Sequence, residues 1–310
     1  MSESNIYDIA IIGSGPAGLS SSIYASRYRL SNIVFGKIIG GTISEAHKVC
    51  NYPGIPDISG IDLAYKIYEQ AKTEGATLIT EGIKEIIKEN DTLKLITDSG
   101  KEYQSKTVIL ATGTERNKLH IPNEDKYIGK GLSYCSTCDA MFYKDKIVGI
   151  VGGSSAATMS ATMLSEIAKE VYIIYRGEAL RGEPAWIEQA TSKNNVHVIL
   201  QTVITELQGE DRLERIKLSK PYNNSEYLSL NGLFIEIGSE PNKDLPSKLG
   251  LNLDGKGYII VDGKQRTSIE GIWAAGDCTN NSNSFKQVIT ACSEGAVASN
   301  DIFEYLKTAS

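Results

Sequence analysis

The stretch IYDIAIIGSGPAGLSSSIYASRYRLSNIVFG, residues 6–36, decides the fold. Residues 6–12 are largely apolar and read as a buried strand. Glycines follow at once, in Gly13-Ser14-Gly15-Pro16-Ala17-Gly18. A helical stretch comes next, with Leu19, Ile23 and Leu30 at helix-compatible spacing, and NIVFG at 32–36 reads as a second strand. The bare G-x-G-x-x-G pattern is weak; its place between a strand and a helix gives it force. There Gly13 permits a tight turn, Gly15 lets the backbone approach a pyrophosphate, and Gly18 lets helix and strand pack closely. The helix N-terminus then faces the negative charge. Without a ligand the same residues are only a glycine-rich turn. Phe35-Gly36-Lys37 brings no acid to the end of the second strand, so adenosine must be held by backbone or by other groups.

The pattern returns later in the chain. KIVGIV (146–151) reads as a strand, Gly152-Gly153 follows, then a helix over 156–168 and the strand EVYIIY (170–175). Between the two copies, residues 77–112 alternate apolar and polar positions and read as an antiparallel meander ending in the buried strand VILAT. Short strands recur from about 196 to 237, followed by GYIIVD, GIWAAGDC and a C-terminal helix over about 286–306. A strand–glycine–helix–strand unit that occurs twice predicts an α/β protein with two Rossmann-like dinucleotide-binding domains. Each has three layers, with a parallel sheet and a meander.

At 310 residues, 41% apolar and 23% charged, the chain suits two soluble domains. Its net charge of −6 and lack of a basic run argue against a nucleic-acid partner. MSESNIYD carries no signal-peptide pattern and no apolar run is long enough to span a membrane, so a cytoplasmic protein is expected. In that compartment a disulfide is more often catalytic or transient than structural.

Two of the five cysteines form Cys135-x-x-Cys138 in SYCSTCDAMFY. A structural zinc site needs about four ligands. Cys50, Cys278 and Cys292 stand alone, and His47, His120 and His197 show no paired spacing, so no metal is expected. Thiol–disulfide exchange needs an attacking thiolate and a partner sulfur close by, and Cys135 and Cys138 supply both. The three remaining cysteines are expected to pack as small apolar residues.

Taken together these motifs resemble the small-subunit thioredoxin reductases of bacteria and archaea, over essentially the whole chain. GSGPAG at 13–18 is similar to that family's FAD loop. GG at 40–41 and NYPG at 51–54 are similar to its flavin-side segments, and VILATG at 108–113 to its mid-chain strand. SYCSTCD at 133–139 resembles its redox motif, and TSIEGIWAAGDC (267–278) with KQVITACSEGAVAS (286–299) its second FAD motif. The resemblance implies an FAD-binding domain of 1–115 and 245–310. A domain of 116–244 is inserted in it, carrying the dithiol and the pyridine-nucleotide site. It also implies a homodimer and a thioredoxin-like partner. It makes Cys135 the residue that attacks the partner, Cys138 the one beside the flavin, and Asp139 their acid/base. To FAD it assigns the loop residues 13–18 with Gly41, Thr42, Asn51, Thr112, Gly113, Gly276, Asp277, Lys286, Gln287 and Val288. Asp277 is suited to a ribityl hydroxyl, and the start of the last helix to the flavin edge where charge builds on reduction.

The second glycine loop departs from the family's pattern. Gly152-Gly153-Ser154-Ser155-Ala156-Ala157 has Ser154 where a glycine permits close approach to pyrophosphate, and Met159-Ser160 where the family has a glutamate pair. Arg176, in Tyr175-Arg176-Gly177, and Arg181 retain two guanidinium groups for a 2′-phosphate. The expected reaction is FAD-mediated reduction of a thioredoxin-type disulfide with NADPH as donor. Reduced ferredoxin or a deazaflavin is the alternative donor. A flavin dithiol oxidase and a non-catalytic flavin redox sensor are the alternative functions.

Overall fold

The computed structural model describes residues 6–282 and 285–308. It is an α/β protein with two compact units, Met1–Glu115 with Glu240–Ser310, and Arg116–Ser239. The return crossing falls at 239/240, ahead of the 244/245 read from sequence. The reason is that the segment from Glu240 already bonds within the first unit, where Asn242 Nδ2 donates to Glu115 Oε1 at 2.6 Å.

The first unit begins β1 (Ile6–Ile12), α1 (Pro16–Arg27), β2 (Asn32–Phe35), α2 (Gly60–Thr73) and β3 (Thr77–Ile79). There follow β4 (Ile83–Glu89), β5 (Thr92–Thr97), β6 (Glu102–Leu110) and β7 (Thr114–Arg116). The helix α1 stops at Arg27, so Leu30 lies beyond it. The strand β3 is not part of the meander: it pairs parallel with β2, and only β4, β5 and β6 run antiparallel. The long β6 serves both layers. Its first half pairs with β5, and its last residues, Val108–Leu110, pair with the returning strand.

In the second unit come α3 (Glu124–Tyr127), β8 (Leu132–Ser133), α4 (Ser136–Asp139), β9 (Ile147–Val151), α5 (Ser155–Ser165) and β10 (Glu170–Ile174). They are followed by α6 (Pro184–Thr191), β11 (Val196–Ile199), β12 (Ile204–Gln208), β13 (Arg215–Tyr222), β14 (Ser225–Ser229) and β15 (Gly232–Ile235). A parallel sheet in the order β11-β10-β9-β15-β8 is joined by an antiparallel β12-β13-β14 ribbon. The chain then returns through β16 (Ser239–Pro241), α7 (Asp244–Leu249), β17 (Ile272–Ala274) and α8 (Val288–Thr308). GYIIVD forms isolated bridges rather than a strand.

Strand alternation explains the layers. In β1, Ile9 and Ile11 face the cluster built on α1 and α8, while Ala10 and Ile12 face the meander. In β10, Val171 and Ile173 pack with Ala157, Ala161 and Leu164 of α5, while Ile174 meets the ribbon. The helices α1 and α8 approach closely because small residues line their contact. A Cβ on Gly295 would lie 2.2 Å from Ala17 O. The hydroxyl of Ser21 donates to Gly295 O at 3.1 Å, and that of Ser299 to Ser21 O at 2.7 Å. Among the described residues no helix is long and apolar enough to cross a membrane.

Candidate functional site

In the first unit the separate motifs meet around one loop. Gly13 takes φ 122°, and a Cβ there would lie 2.0 Å from Ala111 O; a Cβ on Gly18 would lie 1.8 Å from Gly13 O. Both positions therefore exclude a side chain. Gly15 differs. Its backbone is extended (φ −80°, ψ −176°), and an added Cβ would meet only Gly40 O, at 3.6 Å. The space above Gly15 is open to a ligand. Ser14 is buried, with its O accepting from Gly40 N at 2.8 Å and its Oγ donating to Ile38 O at 2.9 Å. This holds Gly41 and Thr42, the start of a 3-10 turn, beside the loop.

The remaining segments arrive by contact. Gly276 (φ 82°) abuts Ala17, and its N–H donates to Glu294 Oε2 at 2.7 Å. Asn51 Nδ2 donates to Gln287 Oε1 at 3.0 Å, joining the NYPG segment to the start of α8, whose first residue is Val288. Lys286 Nζ donates to Thr279 O and lies 5.0 Å from the Tyr258 ring centroid. Burial pushes the Asp277 carboxyl above its ordinary range; Lys286 opposes the shift and Glu294 adds to it. Gly113 takes φ 61°, and the neighbouring Thr112 Oγ1 is buried beside the Cys278 thiol. An open glycine loop at a helix start and a half-buried carboxylate suit the pyrophosphate and hydroxyl groups of FAD.

The second unit repeats the loop. Gly152 takes φ 148°, and a Cβ there would lie 2.2 Å from Glu236 O. Gly153 lies against the Tyr175 ring, and its O accepts from Arg181 N at 2.6 Å. Ser154 is exposed with φ −90°, ψ 179°, and Ser155 Oγ accepts from Glu183 N at 2.8 Å. Arg176 and Arg181 are both exposed beyond β10. The loop's backbone shape and two cations thus fit a phosphorylated dinucleotide.

The dithiol lies in the same unit. Cys135 and Cys138 are joined in a disulfide with Cα atoms 5.3 Å apart. Cys138 is exposed and Cys135 half-buried. The Cys138 N–H donates to Cys135 Sγ at 3.2 Å, a contact that favours negative charge on that sulfur. Asp139 follows, its N–H donating to Cys135 O at 3.2 Å. Burial raises the Tyr143 hydroxyl above its ordinary range, and the nearby Asp139 adds to this. Two features here escaped the sequence reading. Met141 and Phe142, on the 3-10 turn after Asp139, are 70% and 72% exposed. Ser136, between the cysteines, is buried and hydrogen-bonded to Glu236. An apolar pair beyond the Cys-x-x-Cys, after Asp139 and Ala140, was the available signal for the first; nothing local marked the second.

The other cysteines divide. Cys278 is fully buried and Cys292 partly so, but Cys50 is exposed, against the expectation that all three pack as apolar residues. It sits on an irregular loop next to Asn51, where no sheet or helix face covers it.

A family model described as pyridine nucleotide-disulphide oxidoreductase matches residues 7–295. A thioredoxin reductase of Mycoplasma genitalium is 40% identical over 295 residues, 94% of this chain and 93% of the relative. Among solved structures, Lactococcus lactis thioredoxin reductase is 30% identical with a TM-score of 0.92, covering 97% of this chain and 99% of that one. The T. acidophilum thioredoxin reductase is 32% identical with a TM-score of 0.91, over 97% and 99%.

Proposed function

This chain belongs to the pyridine nucleotide-disulphide oxidoreductase family, and from that premise we propose that it works as a thioredoxin reductase, an FAD-dependent disulfide oxidoreductase. The observation that carries the reading is the surface disulfide Cys135–Cys138, in a chain that also folds two dinucleotide-type glycine loops. The thioredoxin reductases use FAD, with NADPH as the usual electron donor. When bound, FAD supplies a two-electron carrier between a hydride donor and a disulfide.

The residues then have separate tasks. Residues 13–18 with Gly41, Thr42, Asn51, Thr112, Gly113, Gly276, Asp277 and 286–288 hold FAD on the first unit. Gly152–Ser155 with Arg176 and Arg181 hold the nicotinamide donor on the second. Reduction of Cys135–Cys138 takes two electrons and two protons and breaks one S–S bond. The Cys135 thiolate, favoured by the Cys138 N–H, attacks the partner's disulfide and forms a mixed disulfide. Cys138 then attacks Cys135, re-forming the internal disulfide and releasing the partner as a dithiol. Asp139 moves the proton that this second attack requires. The exposed Met141 and Phe142 give the partner an apolar footing beside the sulfurs. The partner is a thioredoxin-like protein, and the reductase is a cytoplasmic homodimer.

The test is anaerobic. NADPH added to the flavin-loaded protein is expected to bleach the flavin, and catalytic protein to reduce a thioredoxin at its expense. Flavin-loaded protein that oxidises small dithiols in air, but reduces no thioredoxin, would overturn the reading. Light scattering in solution tests the dimer.

A further inference from the structure

The residues on either side of Cys135 are each held by a buried carboxylate from elsewhere in the second unit. Tyr134 donates its hydroxyl to Glu124 Oε1, which is otherwise occupied with the Leu119 N–H at 2.9 Å. Ser136 donates its hydroxyl to Glu236 Oε1 at 2.8 Å. Glu124 is 5% exposed, Glu236 6% and Ser136 4%. Glu236 lies just past β15. Its Oε1 also accepts from Ser160 Oγ of α5 at 3.0 Å, and its Oε2 from Arg116 Nη1 of β7 at 2.8 Å. One carboxylate thus joins the dithiol turn, a helix, the sheet and the strand by which the chain enters the unit.

Burying a carboxylate costs several kcal/mol unless its lone pairs are filled. Three donors occupy most of the roughly four acceptor sites of Glu236. An apolar side chain at 136 would fill the same space without requiring a buried charge below it. The arrangement therefore fixes the turn in one place, where mere packing would leave it freer to shift.

We propose that Glu236 is a positioning residue for the Cys135–Cys138 couple, acting through Ser136 to hold the turn in which the two sulfurs stay within bonding reach. The proposal rests on the dithiol being exchangeable, as the function above requires, but on neither its donor nor its partner. The physical effect is on effective concentration. A disulfide within a turn is favoured in proportion to how often its two thiols meet, and a fixed turn makes that frequent. Releasing the tether lowers it, so the dithiol gains over the disulfide and the couple becomes less reducing.

The test equilibrates the purified, flavin-loaded protein in mixtures of reduced and oxidised dithiothreitol, traps thiols by alkylation, and reads the Cys135–Cys138 peptide by mass spectrometry. In each reduction one S–S bond breaks, two electrons and two protons are taken up, and one dithiothreitol closes to its cyclic disulfide. Ser136→Ala and Glu236→Ala are expected to shift the balance toward the dithiol by about tenfold, ~30 mV for this two-electron couple. Glu236→Gln, which can still bond Ser136, should remain within about twofold of the unsubstituted protein. Ser160→Ala removes a hydrogen bond from the same oxygen without touching the turn, and should also leave the balance unchanged. An unshifted Ser136→Ala protein, or an equal shift in Ser160→Ala, overturns the proposal. Ser136→Ala decides alone if Glu236→Ala does not fold. A Cys135–Cys138 bond that no dithiothreitol ratio opens would instead overturn the function itself.

Discussion

Gly15 and Ser154 hold the same backbone conformation at the same place in two loops: φ −80°, ψ −176° for one and φ −90°, ψ 179° for the other. Each is the N-cap of the helix that follows its loop. Neither φ is positive, so a side chain costs nothing in backbone strain at this position. What the glycine provides is clearance for a phosphate, and Ser154 keeps the loop's shape while narrowing that clearance. We expect Ser154→Gly to lower the KM for NADPH by about 3- to 10-fold with kcat little changed, since a freer approach improves ground-state binding. Gly15→Ser is expected to reduce FAD retained after gel filtration. An unchanged KM in Ser154→Gly would show that the hydroxymethyl group does not obstruct the donor.

The two sulfurs should fail differently. Cys138→Ser leaves Cys135 able to attack but with nothing to resolve it, so a mixed disulfide with thioredoxin should accumulate and be visible on non-reducing gels. Cys135→Ser should accumulate none. Both are expected to lose roughly 1000-fold or more in thioredoxin turnover, because exchange needs both sulfurs. Trapping by Cys135→Ser instead would reverse the two roles.

Phe142 stands 72% exposed next to the dithiol. Covering such a side chain is worth about 1.5–3 kcal/mol. Phe142→Ala should therefore raise the KM for thioredoxin by about 10- to 100-fold and leave reduction of a small aromatic disulfide unchanged. Equal loss with both substrates would point to a disturbed dithiol turn.

Asp277 should show the cost of a functional charge. Burial raises its folded-state pKa above the ordinary 3.8. A raised pKa means the folded state binds the proton more tightly than the unfolded chain. Its contribution to stability is therefore full below 3.8 and is lost as pH rises through the folded-state value, so at neutral pH the charged carboxylate destabilises the flavin-free fold. Flavin-free Asp277→Asn is expected to melt higher than the parent at pH 7, with the difference shrinking as the pH is lowered toward 3.8, and to bind FAD more weakly. A lower melting temperature at pH 7 would contradict this assignment of the shift.

Much of the architecture was legible in residues 6–36 and their echo from 146 onward. A strand, a glycine turn and a helix are local events, decided by apolar periodicity and by which residues tolerate a tight turn, and both copies form, although α1 ends at Arg27 before Leu30 and α5 ends at Ser165 rather than 168. The Cys135–Cys138 pairing was legible for the same reason, because the partners are only a turn apart. Strand direction was not. TLI at 77–79 alternates like the meander that follows it, yet pairs parallel with β2, since a strand's neighbour depends on where the chain has travelled and not on its own pattern. Nor was the exposure of Cys50, set by a loop that no element covers. The grip of Glu236 on Ser136 joins residues a hundred positions apart and has no local mark. Sequence alone determined which short segments fold and which residues carry reactive atoms. Only tertiary structure decided which buried charges and hydroxyls meet, because a buried polar group must find its partner wherever packing brings one within reach.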